Sequence, residues 1–302
     1  MARLTLPVVH TRVFGTTAEG GNPCPIVFEA DPLTPEQMQS IAARFQSETA
    51  FVLTPSQAGS DLHLRYFVPQ HEMEMCVHAT VGTVTVLVSH QRLFQSPIRI
   101  ETPLGVISGS WESGGKGLSI AVEQFPPAFL TRNPTSAEVA TVLRIPETAL
   151  ALDVGPIQSV STSRPKLMVP IRDCTVLDNL QPDFERLWSL CDQYQTTGFY
   201  PFTILTQPAN LQVVARQFPK RAGYNEDPAT GVAACALGAY LTEYAVFGEK
   251  SDRWHTFQVG QGYAMGCPSI IQADSFVEEG RIVKTRIWGQ AIVLSDEVIT
   301  VD

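Results

Sequence analysis

The chain has 302 residues, of which 44% are hydrophobic and 17% charged, and carries a net charge of -9. This composition excludes a disordered chain, and the acidic balance, without any Lys/Arg stripe against it, speaks against a nucleic-acid partner. No apolar run is long enough to span a bilayer, the start MARLTLPVVHTRVF lacks the apolar core of a signal peptide, and the six cysteines form no CxxC pair, so a cytoplasmic protein with reduced thiols is expected.

In chain order, Pro7 to Phe14 alternates as a strand does, and Pro25 to Phe28 reads as a second strand after the turn-rich Gly15 to Asn22. A helix follows. Thr34 is its N-cap, Pro35 its first residue and Gln37 the far side of a capping box, while Met38, Ile41, Ala42 and Phe45 share one face. Ser47-Glu48-Thr49-Ala50-Phe51 then leads into another apolar strand. Further strands are expected at Leu62 to Val68, Ile98 to Glu101, Val106 to Ser110 and Leu118 to Val122, with a hairpin turn at Gly114-Gly115. The later half offers a capped helix from Thr135 with Glu138, and strands at Gln212 to Gln217, Ser269 to Gln272, Ile282 to Trp288 and Ala291 to Leu294. Gly260-Gln261-Gly262 is followed by strand-like sequence where a dinucleotide site opens a helix, so it is discounted as a nucleotide loop.

The two halves repeat one another. Arg65-x-Phe67, a proline, Cys76-Val77-His78-Ala79-Thr80 and VGTVTVLV answer to Arg216-x-Phe218, a proline, Asp227-Pro228-Ala229-Thr230 and GVAACALGAYL. Pro165 minus Pro23 is 142, Phe199 minus Phe51 is 148 and Thr230 minus Thr80 is 150, three matches in the same order. VGTVTVLV alone has the β-branched content of a strand, but its twin reads as a buried helix, so both are taken as helices. The expectation is an α+β fold of two pseudo-symmetric lobes, residues 1–125 and 126–302, with the last strand able to cross back to the first. Each lobe has a mainly antiparallel curled sheet or barrel round a central buried helix, and the active site lies in the cleft between the lobes.

Chemistry concentrates at the two helix starts, where unpaired N–H groups and a partial positive charge suit a carboxylate. Glu48 has Thr196 as its counterpart, so the repeat supplies one carboxylate there and not a pair. Glu48 reads as a general acid/base or as a surface helix-end glutamate. His78 and Asp227 read as polar site groups or as helix caps, and Cys76 as a thiol base or nucleophile without a second thiol to match it. On an extended strand Glu72, Glu74, Cys76 and His78 would share a face and could ligate a metal, but no second cluster answers them, and no metal is assigned.

These motifs resemble the phenazine-biosynthesis PhzF-like isomerases of the diaminopimelate-epimerase-like fold. The resemblance rests on Gly21-Asn22-Pro23, Ser47-Glu48-Thr49-Ala50-Phe51, Arg65-x-Phe67-x-Pro69, Cys76-x-His78-Ala79-Thr80, Glu226-Asp227-Pro228-Ala229-Thr230-Gly231, and Gln261-Gly262 with Gly266-x-Pro268-Ser269. It implies a cofactor-independent isomerase of the trans-2,3-dihydro-3-hydroxyanthranilate type, moving a proton and a double bond on a small carboxylate-bearing substrate. Glu48, His78 and Asp227 are then catalytic, and Cys76, Val77, Thr230, Gly231 and Val232 bind substrate. It further implies a homodimer, with no membrane partner. Alternatives are an epimerase or a C–C bond-cleaving relative using the same cleft, or an inactive small-molecule or protein-binding module. Val77 and Val232 stand where the family usually has Gly and Ser, and both departures fall at the carboxylate-binding positions.

Overall fold

The structure is a computed structural model that describes residues 3–17, 19–115, 117–205 and 211–301. The first part of the chain forms β1 (Leu4–Val13), β2 (Asn22–Val27), α1 (Pro35–Phe45), β3 (Thr49–Leu53), β4 (Leu62–Phe67), β5 (Glu72–Met73), α2 (Val77–Ser89), β6 (Ile98–Thr102), β7 (Gly105–Gly114) and β8 (Gly117–Gln124). It continues with β9 (Ala128–Phe129), α3 (Ser136–Leu143), β10 (Gln158–Ser161), β11 (Lys166–Pro170), α4 (Cys174–Asp178), α5 (Phe184–Gln193), β12 (Gly198–Ile204), β13 (Val213–Ala215) and β14 (Phe218–Pro219). Then come α6 (Gly231–Glu243), β15 (Trp254–Gln261), β16 (Ser269–Glu278), β17 (Arg281–Gly289) and β18 (Ala291–Val301). Among the described residues no helix is long and apolar enough to cross a membrane.

The chain divides into two compact units. The first runs to Glu123 and takes in the stretch from Trp288 on, and the second spans Gln124–Ile287. Each unit repeats one strand succession. In the first, β18, β1, β2, β3, β4, β6 and β7 are joined antiparallel, antiparallel, parallel, antiparallel, parallel and antiparallel. In the second, β9, β10, β11, β12, β13, β15 and β16 follow the same order of joints. The internal repeat is thus carried in the hydrogen-bonded ladders as well as in the letters. The 291–294 strand expectation falls short, because β18 runs to Val301 and pairs with β1 along its length.

Each sheet wraps a helix. Every residue of α2 from Val77 to Leu87, and of α6 from Gly231 to Thr242, is buried. In the first unit α2 packs on β1, β2, β3 and β18, and in the second α6 packs on β10, β11, β15 and β16. The β-branched run of α2 is tolerated as helix because its buried hydroxyls need not compete for sheet partners. Thr80, Thr83 and Thr85 each donate to the carbonyl four residues back, at 2.8 Å. Burial against the sheet then outweighs a weak strand propensity.

The flanking helices follow their local signals. At α1 the Thr34 hydroxyl accepts from Gln37 N–H, while the Gln37 amide oxygen accepts from Thr34 N–H at 3.0 Å, which closes the expected box. Gln46 ends the helix at φ 53, and Met38, Ile41 and Ala42 enter a core with Leu6, Val8, Val27 and Phe51. Thr135 and Glu138 cap α3 in the same manner.

Gly238 of α6 sits where a Cβ would meet the Cβ of Ala273 at 2.9 Å, so the helix lies as close to β16 as a missing side chain permits. Gly238→Val is expected to lower stability by about 1–3 kcal/mol through overpacking. Urea unfolding of the variant beside the parent measures this, and an unchanged midpoint would show that α6 can move away from β16 at no cost.

Candidate active site

The eight residues singled out in the sequence fall into two groups, one in each unit. In the first unit the joint between α1 and β3 sets Glu48. Gln46 turns the chain through its left-handed backbone, Ser47 donates its hydroxyl to Pro23 C=O at 2.9 Å, and β3 then pairs in parallel with β2. Glu48 projects from this fixed turn with its side chain 12% exposed, so it is not a surface glutamate.

Cys76 and His78 reach Glu48 from the start of α2. The Cys76 thiol donates to Glu48 Oε2 at 3.1 Å, and His78 Nε2 lies 3.2 Å from the same oxygen. Cys76 Sγ is also 3.4 Å from His78 Nδ1. Cys76 is the N-cap residue, yet its side chain makes no capping bond. Both side chains are committed to the carboxylate. Burial pushes the Cys76 thiol well above its ordinary value, with the Glu48 charge adding to the effect. Burial likewise holds His78 below its ordinary value, while Glu48 pulls the other way. A neutral thiol that donates to Glu48 Oε2 and an imidazole nitrogen 3.2 Å from it therefore converge on one carboxylate oxygen, an arrangement suited to taking and returning a single proton.

An ion pair braces the approach to α2. Arg65 Nε and Nη2 hold both oxygens of Glu72 at 2.7 Å, and the guanidinium lies 5.3 Å from the Phe67 ring centroid. Glu72 is thereby spent on structure. The ligand face that Glu72, Glu74, Cys76 and His78 would share on one extended strand does not form, because β5 ends at Met73 and α2 begins at Val77. What the structure assembles instead is Glu48, Cys76 and His78, whose donor atoms all lie within 4.8 Å of one another and are the set among the described residues that could hold a metal ion.

The second unit builds its own polar cluster at the start of α6. Asp227, 5% exposed, accepts a very short hydrogen bond from the Thr230 hydroxyl. Gln261 closes the arrangement: its Nε2 donates to Asp227 C=O at 2.6 Å and to Thr230 Oγ1 at 3.0 Å, and its Oε1 accepts from Thr230 N–H at 3.1 Å. Tyr200 OH donates to the same Oε1 at 2.9 Å. Ser269 Oγ reaches the carbonyls of Pro228 and Gln261 at 3.2 and 3.1 Å. Arg216, with Glu226 held at 2.8 and 2.7 Å, repeats the Arg65 brace one residue before Asp227, and also donates to the carbonyls of Leu177, Asp178 and Leu180. Thr230 is an N-cap without a side-chain capping bond, and Gly231 opens the helix. Val77 and Val232 are both buried, 1% and 6% exposed.

Thr196, the counterpart of Glu48, is 2% exposed and donates to Pro165 C=O at 3.1 Å. The same brace thus survives in both units, while the acid stands in one. Sequence reading missed the positional work of Gln261, Ser269 and Tyr200. The first two stand in the Gln261-Gly262 and Pro268-Ser269 motifs, which could have pointed to them, but their partners lie far away in the chain.

The profile of the family described as phenazine biosynthesis-like protein matches residues 11–297. An uncharacterized isomerase of Escherichia coli O157:H7, YddE, is 31% identical over 290 residues, 95% of this chain and 96% of the relative. An uncharacterized isomerase of Clostridium acetobutylicum is 29% identical over 277 residues, 91% of each chain. Among solved structures, a Bacillus anthracis phenazine biosynthesis protein of the PhzF family superposes with a TM-score of 0.88 at 28% identity, covering 99% of this chain and 100% of that one. The α+β arrangement described above is the diaminopimelate-epimerase-like fold.

The depressed His78 makes a testable contribution to stability. Once unfolded, His78 binds a proton near its ordinary value of about 6.5 that the folded protein does not bind, so its contribution is complete above that pH and is lost as the pH falls below it. The urea midpoint is expected to fall between about pH 6.5 and about pH 5, and to fall less in His78→Gln. Parallel acid limbs in the two proteins would assign the effect to other groups.

Proposed function

The chain belongs to the phenazine biosynthesis-like protein family and is an isomerase, and on that premise we propose that it moves a proton, and with it a double bond, on a small carboxylate-bearing substrate. The observation that carries this reading is the convergence of Cys76 and His78 on one oxygen of Glu48, in a setting that is largely dry. Glu48 is the acid/base: as a carboxylate it takes the proton from carbon, and as the acid it returns it to another carbon of the conjugated system. His78 orients the carboxylate and shares the charge change. Neither a metal nor an organic cofactor is needed, since conjugation in the substrate spreads the developing negative charge.

The first N–H groups of a helix have no partner within it, so the starts of α2 at Val77 and of α6 at Gly231 are assigned to bind carboxylate oxygens. The family motif extends the proposal to Asp227 as a further catalytic group, with Thr230 and Val232 as binding positions. Val77 and Val232 bring bulk to positions usually held by Gly and Ser, which favours a substrate less polar at its carboxylate end than the dihydrohydroxyanthranilate of phenazine synthesis. Six free cysteines suit a reducing compartment, and we place the protein in the cytoplasm.

A second reading is epimerisation at one carbon, favoured by the thiol of Cys76 standing beside Glu48 as a second proton carrier. Incubation in D2O with 2,3-dihydro-3-hydroxyanthranilate and a panel of unsaturated carboxylates, followed by NMR, tests both. The expected result is exchange at carbon with a displaced double bond, reduced by about 100- to 10,000-fold in Glu48→Gln. Exchange with inversion and no double-bond shift supports epimerisation. Undiminished exchange in Glu48→Gln would sink the assignment of Glu48.

A further inference from the structure

We infer that Tyr66 and Thr80 are positioning residues for Cys76, a chain of two hydroxyls that fixes the peptide group after Cys76 and so keeps its thiol on Glu48. The inference rests on the function proposed above, in which Glu48 carries the proton. The Tyr66 hydroxyl lies 2.7 Å from Thr80 Oγ1, and Thr80 Oγ1 donates to Cys76 C=O at 2.8 Å. A threonine hydroxyl has one proton to give. Because the Thr80 proton goes to that carbonyl, the Tyr66 hydroxyl is the donor in the first bond, and the chain runs in one direction, from Tyr66 through Thr80 to Cys76. The thiol of the same residue then donates to Glu48 Oε2 at 3.1 Å.

Cys76 C=O receives two bonds, from Thr80 Oγ1 and from Thr80 N–H at 3.1 Å. Both of its lone pairs are thus engaged, and the rigid plane that runs from Cys76 C=O to Val77 turns only by breaking them. With that plane held, Cys76 keeps the extended backbone, φ -141 and ψ 102, from which its thiol reaches Glu48. The chain is dry, since Tyr66 and Thr80 are both buried. In such surroundings a hydroxyl that accepts one bond and donates another strengthens both. Burial also pushes the Tyr66 hydroxyl up, so it stays protonated as the donor.

The second unit shows that a central helix starts without this chain. At the N-cap of α6, Thr230 C=O accepts from Ala234 N–H at 3.0 Å, as Cys76 C=O accepts from Thr80 N–H, and both helices run for 13 residues. Ala234 has no hydroxyl with which to add a second bond. Arg216-x-Phe218 has Gln217 where Arg65-x-Phe67 has Tyr66, and among the described residues the Gln217 amide has no hydrogen-bond partner. Threonine is a poorer helix former than alanine, and a buried hydroxyl is costly unless it is bonded. The turn itself asks for neither hydroxyl, so the pair in the first unit is accounted for by what it does to Cys76 beside Glu48.

Infrared spectroscopy of the full-length protein tests the chain through the S–H stretch, which falls clear of other protein bands and moves to lower frequency as the thiol donates a stronger hydrogen bond. Burial keeps the Cys76 thiol protonated at neutral pH, so its band is present, and loss of that band in Cys76→Ser assigns it. In Tyr66→Phe and in Thr80→Val the band is expected to move towards the frequency of an unbonded thiol, and in Thr80→Ser, which keeps the hydroxyl, to stay. A band that stays in either of the first two variants overturns the proposal, as does a Cys76 band that is not lowered in the parent. In D2O exchange with 2,3-dihydro-3-hydroxyanthranilate, both variants are expected to lose about 2- to 10-fold in kcat, the worth of one hydrogen bond, with KM little changed and with recovery in Thr80→Ser. An undiminished kcat beside a moved band overturns the positioning role. Circular dichroism checks that each variant is folded, and should Thr80→Val not fold, Tyr66→Phe, which removes a single oxygen, decides. No substrate enters the infrared reading, so a moved band in a protein that exchanges no substrate proton would count against the proposed isomerisation alone.

Discussion

The burial of α2 and α6 on every side is the constraint from which the rest follows. A helix whose whole circumference is apolar or small has no face to give to water, so a sheet has to curl round it. Its start then comes to the end of that sheet with N–H groups that no helical carbonyl can satisfy. Neither N-cap side chain, Cys76 or Thr230, bonds to those N–H groups, although an unpaired buried N–H is costly.

Both units answer this constraint with the same parts and then diverge. The braces Arg65–Glu72 and Arg216–Glu226 are alike in geometry, and each lies shortly before a helix start. Breaking such a pair leaves a partly buried charge without its partner, which ties the braces to the shape of the loops they hold. The divergence lies in the side chains at the helix starts. The first unit offers a carboxylate met by a thiol and an imidazole. In the second, the Asp227 carboxylate accepts from the Thr230 hydroxyl, and Gln261 bonds the backbone and side chain around it. The two copies of one repeated unit thus carry different polar clusters at the starts of their central helices.

What could be read in the letters was what depends on near neighbours. Thr34, Pro35 and Gln37 specify the start of α1 within four residues, and the structure has that box. The helical state of VGTVTVLV was legible through its twin and not from its own residues, because β-branched side chains are indifferent until their surroundings are known. Whether Glu72, Glu74, Cys76 and His78 share one face was not legible, because alternation in sequence does not reveal where a strand gives way to a helix. The partnership of Glu48 with Cys76 spans 28 residues, and that of Tyr200 with Gln261 spans 61. Such pairings depend on tertiary closure, and local pattern carries no trace of it.

The pairing of β18 with β1 also has a meaning in time. The second unit is an unbroken stretch of chain, whereas the sheet of the first includes a strand that begins at Ala291. On the ribosome most of the amino-terminal unit is made first, yet its strand order is complete only once β18 has been made. The carboxy-terminal unit can close its own ladders earlier. β1 must therefore wait for its β18 partner while the whole of the second unit is synthesised between them, and the later strand brings the earlier one to its final place.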